Sequence, residues 1–120
     1  MHIGTLVLWI AAIHSAVGTA LYWPELASAL ADGIVATVPD HGDRAAAFWF
    51  LYTGVVFAAL GWIVREVERE RHYLPHAVVP ALLVLGLAVV LPMPASGGWL
   101  FFGVAAIAWR RTRAAQVQQA

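Results

Sequence analysis

The sequence predicts an all-α integral membrane protein: a four-helix bundle with a short amphipathic outer helix between spans one and two. Hydrophobic residues make up 62% of the 120 residues and charged residues only 12%, about half the charged share of a soluble domain. The hydrophobic residues fall into four separate runs. Because the length suits one domain, we expect a single four-span membrane domain over residues 1–113, followed by a polar tail over residues 114–120.

The first two apolar runs are long enough to cross a bilayer. Residues 3–23 and residues 44–64 each comprise 21 residues, which corresponds to about 31 Å of helix and matches the bilayer core. The first run lacks the basic flank of a cleavable signal peptide, so we expect it to be retained as a span. Asp43 directly precedes the second run and is predicted to cap that helix.

The outer helix is predicted from the stretch "PELASALADG" between the first two runs. Pro24 suits the first turn of a helix, and Leu26, Leu30 and Ile34 form an apolar stripe. Glu25, Ser28 and Asp32 lie off this stripe, and the acidity of the stretch disfavours docking to anionic lipid. We therefore expect this helix to pack over the outer face of the bundle.

The third and fourth runs are shorter and are predicted to form a hairpin. Residues 76–91 and residues 96–110 would give helices of roughly 23 Å, which cross a bilayer only with little tilt or with local thinning. Between them, "LPMPASGG" favours a tight turn, since Pro92 and Pro94 end one helix and the glycines let the chain reverse. The polar tail after them is expected to fray.

Arginine placement predicts the orientation in the membrane. Only Arg44 lies at the outer ends of the runs, whereas six arginines follow the second and fourth runs: Arg65, Arg69, Arg71, Arg110, Arg111 and Arg113. By the positive-inside rule both termini are expected in the cytoplasm. The chain has no cysteine, which excludes disulfides and thiolate metal sites. Its formal net charge of zero gives no indication of a nucleic-acid partner.

An ionisable residue interrupts the first run, "LWIAAIHSAVGTALYW". His14 is expected about 17 Å from the inner end of its helix, close to the bilayer midplane, where polar groups usually face a partner or a cavity. We predict an outward-opening pocket in which His14 and Tyr52 are the catalytic acid/base groups. The predicted ligand-binding residues are Ser15, Gly18, Thr19, Tyr22, Trp23, Trp49 and Thr53.

Two other interpretations of His14 stay open. The histidine could make a single interhelical hydrogen bond, for example to Tyr52, or it could ligate haem or a metal; otherwise no cofactor is predicted. On the inner side, His2, His72 and His76 could bind a transition metal, but Pro75 separates the last two, so no metal site is predicted. The charged stretch "REVERERHY" is predicted to be a solvated extension of the second helix.

Three functional hypotheses follow for this protein. The first is the binding of a small apolar ligand beside His14, with or without isomerase or lyase chemistry, so whether the protein is an enzyme is left open. The second is a structural or accessory membrane subunit, and the third an oligomeric transporter or channel. Small residues recur every four positions in the first run, at Ala11, Ser15 and Thr19 and at Ala12, Ala16 and Ala20. Such spacing favours close helix packing, and we expect a homo-oligomer.

Four stretches carry a resemblance to a known family: "IHSAVG", "ADG", "DRAAAFWFLYTG" and "LPMPASGGWL". Together they touch most of the chain, and they resemble a family of small bacterial four-span membrane proteins catalogued as a domain of unknown function. The resemblance implies a four-helix topology and, with it, the bacterial inner (plasma) membrane. It also marks His14, Trp49 and the turn over residues 92–99 as positions that such proteins share. It implies no activity.

Overall fold

The computed structural model describes residues 1–38 and 42–119, and every regular element in these residues is a helix, as the sequence predicts. The elements are α1 (Ile3–Leu21), α2 (Trp23–Ala31), α3 (Gly42–Arg71), α4 (Val78–Val90) and α5 (Trp99–Gln119). By length and apolar composition, α1 and α3 could each cross a membrane, whereas α4 is apolar but has 13 residues. 

The antiparallel pair of α1 and α3 is held together by glycines. A Cβ atom at Gly4 would collide with the backbone of Gly61 and of Arg65, and one at Gly54 would collide with the Ser15 hydroxyl. Gly54 and Gly61 are seven residues apart, so both lie on the face of α3 that meets α1. The two backbones therefore approach as closely as small residues allow in membrane helices. We call this contact surface the α1–α3 seam.

The helices α4 and α5 form the expected hairpin. Gly86 packs against the ring of Phe102, and Gly98 packs against Val89. The Trp99 indole N–H donates to the Pro94 carbonyl at 2.8 Å, which closes the turn. This hairpin joins the helix pair through one core, whose largest fully buried side chains are Ile3, Val7, Leu82 and Phe101.

The outer helix α2 follows α1 almost without a break and packs on α3. The guanidinium of Arg44 connects the two elements, because it donates to the Ser28 hydroxyl at 3.1 Å, to the Thr37 carbonyl at 3.0 Å and to the Asp32 carboxylate at 2.6 Å. This arrangement agrees with the expectation that the helix covers the bundle. Leu30 of the predicted stripe, however, is 57% exposed.

Several predicted boundaries are corrected by the structure. Helix α3 begins at Gly42, so Asp43 lies within its first turn instead of at the cap, where its charge still favours the positive end of the helix. The same helix continues to Arg71 and ends at His72, which has a positive φ of 56°. The tail expected to fray continues α5 as far as Gln119, since alanine and glutamine favour helix.

Candidate functional site

His14 lies in the α1–α3 seam and is bonded to the backbone of α3. Its Nε2 is 2.8 Å from the carbonyl oxygen of Phe50; because a carbonyl oxygen only accepts, Nε2 carries the hydrogen. The imidazole stacks on the Phe50 ring with centroids 4.0 Å apart and meets the edge of Phe57 at 5.5 Å. His14 thus faces a neighbouring helix, as expected. Its partner there is Phe50, so the expectation that the partner would be Tyr52 or Trp49 is wrong.

Three further predicted site residues lie on the same side of α1 as His14. Ser15 contacts the backbone at Gly54, and a Cβ atom at Gly18 would collide with the Phe50 ring. The ring of Tyr22 lies 5.6 Å from that of Phe50. The described residues form one groove at each end of the molecule, and His14 lines neither of them. The Phe50 side chain occupies the space in which a ligand was expected.

The remaining predicted residues lie away from His14. Tyr52 is two positions from Phe50, or about 200° around the helix, and its ring is perpendicular to that of Trp49 at 5.6 Å. The Thr53 hydroxyl donates to the Trp49 carbonyl, and the Thr19 hydroxyl donates to a carbonyl of its own helix. Trp23 is more than half exposed. The structure therefore divides the predicted site between two faces of α3.

A groove of about 520 Å³ opens between α2 and α3 on the side that carries Tyr52. We call it the outer groove. Its walls are mainly apolar, and Tyr52 is its member from the predicted site. The residues lining it are Glu25, Leu26, Ile34, Ala36, Thr37, Val38, Arg44, Ala47, Phe48, Leu51, Tyr52 and Val55.

Glu25 gives the outer groove an unusual polar group. Its Oε2 atom is shielded from solvent and has no hydrogen-bond partner among the residues that the structure describes. Arg44, the cationic residue among the described residues that line the groove, is instead bonded to α2 and to Thr37. An unpaired buried acceptor costs about 1–3 kcal/mol. Glu25 lines the outer groove, so a rotation of its side chain would present this oxygen to a hydrogen-bond donor in the groove.

The connection that lines the outer groove has a strained backbone. Ile34 and Ala36 adopt positive φ values of 69° and 55°. Left-handed backbone is unfavourable for alanine and more so for a β-branched residue such as isoleucine, and each such residue costs on the order of 1–3 kcal/mol. Such conformations cluster at ligand-binding segments, which is consistent with a groove that holds a ligand.

A second groove, the inner pocket, lies at the other end of the molecule and has a volume of about 550 Å³. It brings together the three histidines that the sequence places on the inner side. The residues lining it are His2, Glu68, His72, Tyr73, Leu74, His76, Arg111, Thr112, Ala115, Gln116 and Gln119. In the described part of the chain, no three His, Asp or Glu side chains are arranged to hold a metal ion. 

Glu68 is a buried residue of the inner pocket that sequence reasoning missed. Its carboxylate accepts the backbone N–H groups of Ile3 and Gly4, each at 3.0 Å. These N–H groups have no partner within α1, and the positive end of a helix favours a negative charge. The prediction that all of "REVERERHY" is solvated is wrong here, although Glu66 and Arg69 do form an exposed i,i+3 ion pair at 2.8 Å.

The charged extension of α3 also carries a side chain whose pKa is shifted. The Arg71 guanidinium donates to the Tyr73 hydroxyl at 3.2 Å, and this hydrogen bond raises the pKa of Arg71 above its ordinary value.

The signal for Glu68 was present in the sequence: Glu68 lies seven residues after Gly61, which is itself seven after Gly54. Continuing that spacing would have placed Glu68 on the face of α3 that meets α1.

Comparison with known proteins identifies the chain only at the level of its family. No curated protein and no solved structure matches it. The family model that does match covers residues 1–115, and so extends over all four predicted spans and most of α5. The chain therefore belongs to DUF6463, a family of unknown function.

Proposed function

We propose that the protein is a four-span membrane protein that binds a small, mainly apolar molecule carrying a hydrogen-bond donor in its outer groove. The observation that supports this proposal is the unpaired Oε2 atom of Glu25, a residue that lines a groove with mainly apolar walls. The ligand would place its apolar body against α3 and direct a hydroxyl or amine group at Glu25.

The membrane location is supported by the apolar side chains that α1 and α3 leave exposed. Only 33% of the apolar window of α1 and 28% of that of α3 are buried within the protein. Trp9 and Ile13 on α1 and Val55 on α3 are each more than half exposed. A core helix of a soluble protein would bury such side chains, since large apolar patches rarely face water. These exposed apolar faces of α1 and α3 would instead contact lipid.

The hairpin of α4 and α5 supports a four-span topology for the same reason. Phe101 of α5 meets Phe57 of α3 with ring centroids 4.9 Å apart, so α4 and α5 share the core of the membrane pair. On α4, Val84 and Leu87 are exposed apolar residues that lipid would cover. Six arginines at one end against Arg44 at the other support cytoplasmic termini. We place the protein in the bacterial inner membrane on the resemblance stated above.

The class of ligand follows from the volume and polarity of the outer groove. About 520 Å³ falls within the range of small-molecule sites, which are mostly apolar with a few placed polar groups. Those groups include Glu25, which accepts a hydrogen bond, and the Tyr52 hydroxyl, which can accept or donate one. Because Tyr52 lies on a different face of α3 from the one that His14 contacts, the predicted acid/base pair is not assembled, and we propose binding alone.

Photoaffinity labelling tests this proposal. The full chain in mild detergent is irradiated with an aliphatic alcohol that bears a diazirine, and the labelled peptides are identified by mass spectrometry. We expect saturable labelling of α2 and α3 around Glu25 and Tyr52. Glu25→Leu should remove most of this labelling, and Glu25→Gln should retain part of it because the amide oxygen still accepts a hydrogen bond.

The matched control is His14→Leu. This variant changes the residue that the sequence predicts to bind the ligand, and that residue does not line the outer groove. We expect this variant to label like the wild type. Labelling that survives in Glu25→Leu but is lost in His14→Leu would contradict the outer groove as the site. The corresponding hydrocarbon diazirine, which lacks the hydroxyl, should label weakly and without saturation.

A structural or accessory subunit is the second candidate function. It is favoured by the α1–α3 seam, in which glycine contacts and the bond from His14 to Phe50 leave no space for a ligand. This candidate predicts that no apolar alcohol labels the protein in a saturable way, whichever residue is changed. The photoaffinity experiment therefore separates the two functions.

A further inference from the structure

We propose that the inner pocket is a binding site for a phosphate group, supplied either by an anionic phospholipid or by a soluble phosphate compound. The proposal concerns a different site from the outer groove, but it rests on the membrane orientation given under Proposed function. Its basis is the convergence of cationic and neutral donors from three separate parts of the chain on one cavity of about 550 Å³.

The donors of the inner pocket come from His2 directly before α1, from the connection before α4, and from α5. Arg111 extends from α5, and among the residues that the structure describes it has no carboxylate partner. A guanidinium presents a planar set of N–H donors that fits two phosphate oxygens at once. The amides of Gln116 and Gln119 line the same cavity and can add uncharged donors.

The histidines complete the donor set. His2, His72 and His76 all line the inner pocket, and each imidazole can present an N–H to an anion. His72 is held at a positive φ of 56°, an uncommon conformation for a residue other than glycine. The chain thus reverses at His72 and brings the connection before α4 to the end of α5.

Glu68 is the one carboxylate among the described residues that line the inner pocket, and its own contacts partly offset its charge. Glu68 accepts two N–H groups from the first turn of α1, and the positive end of that helix offsets its charge. The imidazole Nδ1 of His2 is a further 3.9 Å away from it. An incoming phosphate would therefore meet unpaired donors such as Arg111 without facing an unbalanced carboxylate.

The position of the inner pocket favours a lipid source in the proposed orientation. Near it, the Arg113 guanidinium lies 4.4 Å from the centre of the Trp109 ring, and tryptophan with arginine is typical of the cytoplasmic membrane interface. Anionic lipids give that surface a negative potential, and basic pockets between helices bind their head groups. The phosphate of an anionic phospholipid would lie at the level of Arg111.

The test measures lipid and phosphate binding by the full, delipidated chain. Native mass spectrometry in mild detergent follows titration with phosphatidylglycerol, with phosphatidylcholine and with inorganic phosphate. We expect one phosphatidylglycerol to bind in preference to phosphatidylcholine, and Arg111→Gln to weaken it by about tenfold, since the charge-assisted hydrogen bonds are lost. Arg110→Gln removes the same charge from the adjacent residue, which does not line the inner pocket, and should leave binding unchanged.

The arms of this experiment assign the source of the phosphate. Inorganic phosphate that binds alone in an Arg111-dependent manner and displaces the lipid would assign the site to a soluble phosphate. Equal losses in Arg110→Gln and Arg111→Gln would show diffuse charge attraction and overturn the proposal. So would the absence of saturable binding of any of the three probes.

A separate measurement keeps this result distinct from the proposed function. Alkaline extraction of membranes reports whether the chain is embedded in lipid, and the diazirine alcohol reports on the outer groove. A protein that remains embedded and labels at Glu25, yet shows no Arg111-dependent phosphate binding, would lose the phosphate site alone.

Discussion

His14 donates from Nε2 to the main-chain carbonyl of Phe50 at 2.8 Å, so the only histidine of α1 is bonded to the backbone of α3 and not to a side chain. A helix carbonyl keeps a second lone pair after its own helical bond is made. The contact can therefore form without removing a hydrogen bond from α3. The stacked Phe50 ring covers the imidazole on one face.

This contact predicts that His14→Leu reduces stability without affecting the outer groove. Interhelical hydrogen bonds in membranes contribute about 0.6–1.7 kcal/mol, so we expect the free energy of unfolding to fall by about 1 kcal/mol. Unfolding in mixed micelles with increasing denaturing detergent measures the change. The control is Ile13→Leu, at an exposed neighbouring position, which should cost little. A His14→Leu protein as stable as the control would contradict an energetic role for the bond.

The α1–α3 seam gives a second prediction, for Gly61→Ala. The added methyl group would lie 2.9 Å from the backbone nitrogen of Leu8 and 3.0 Å from the carbonyl oxygen of Gly4, so the helices must move apart. Overpacking of this kind costs about 1–3 kcal/mol, measured by the same unfolding experiment. Gly103→Ala is the matched control, because nothing lies within 4 Å of its new methyl group. It should be neutral or stabilising, since alanine favours helix.

The helices were predictable because their signal is local. Apolar runs, Pro24 at the start of α2 and the proline-containing turn before α5 place the starts of the five elements within a few residues. Rotation of a helix about its own axis is a different problem. In "AFWFLYTG" aromatic residues occur on every side of α3, so hydrophobicity does not distinguish Phe50 from Tyr52 as the partner of His14. The heptad spacing from Gly54 to Gly61 does distinguish them, because small residues mark the face of closest approach.

The two grooves were less predictable because they depend on tertiary contacts. The outer groove requires the connection at Ile34 to adopt a left-handed backbone, which no sequence pattern indicates for a β-branched residue. The inner pocket requires α5 to continue past Arg113, and the polar composition of that segment suggested fraying. Glu68 was hidden among alternating charges, which usually indicate a solvated surface.

The Glu68 contact predicts that Glu68→Gln destabilises the protein more than Glu70→Gln. The glutamine amide retains one acceptor oxygen, whereas the carboxylate accepts from both Ile3 and Gly4. We expect a loss of about 1–2 kcal/mol, from one hydrogen bond and the charge at the helix end. Glu70 is exposed, and its replacement should change stability by less than about 0.5 kcal/mol. Equal effects in the two variants would show that the buried cap contributes nothing specific.

A homo-oligomer remains a prediction, and the structure narrows the surface that would form it. Ala11 and Ser15 are taken up by the α1–α3 seam, whereas Ala12, Ala16 and Ala20 are exposed and lie on one face of α1. Ala16→Ile should block close approach at this face and convert a dimer to a monomer in native mass spectrometry. Ala59→Ile, at an exposed alanine of α3, should leave the mass unchanged. A wild-type protein that is monomeric at every concentration would end this prediction.

The orientation predicted from the arginines can be measured because the chain has no cysteine of its own. Ala31→Cys places a single thiol at the exposed end of α2, and Gln118→Cys places one at the exposed end of α5. With three arginines in the last turns of α3 and three within α5, the positive-inside rule places residue 118 in the cytoplasm. An impermeant maleimide added to intact cells should label residue 31 and not residue 118, and permeabilised cells should label both. Labelling of residue 118 alone in intact cells would reverse the topology, and it would then place the inner pocket and Arg111 at the external face.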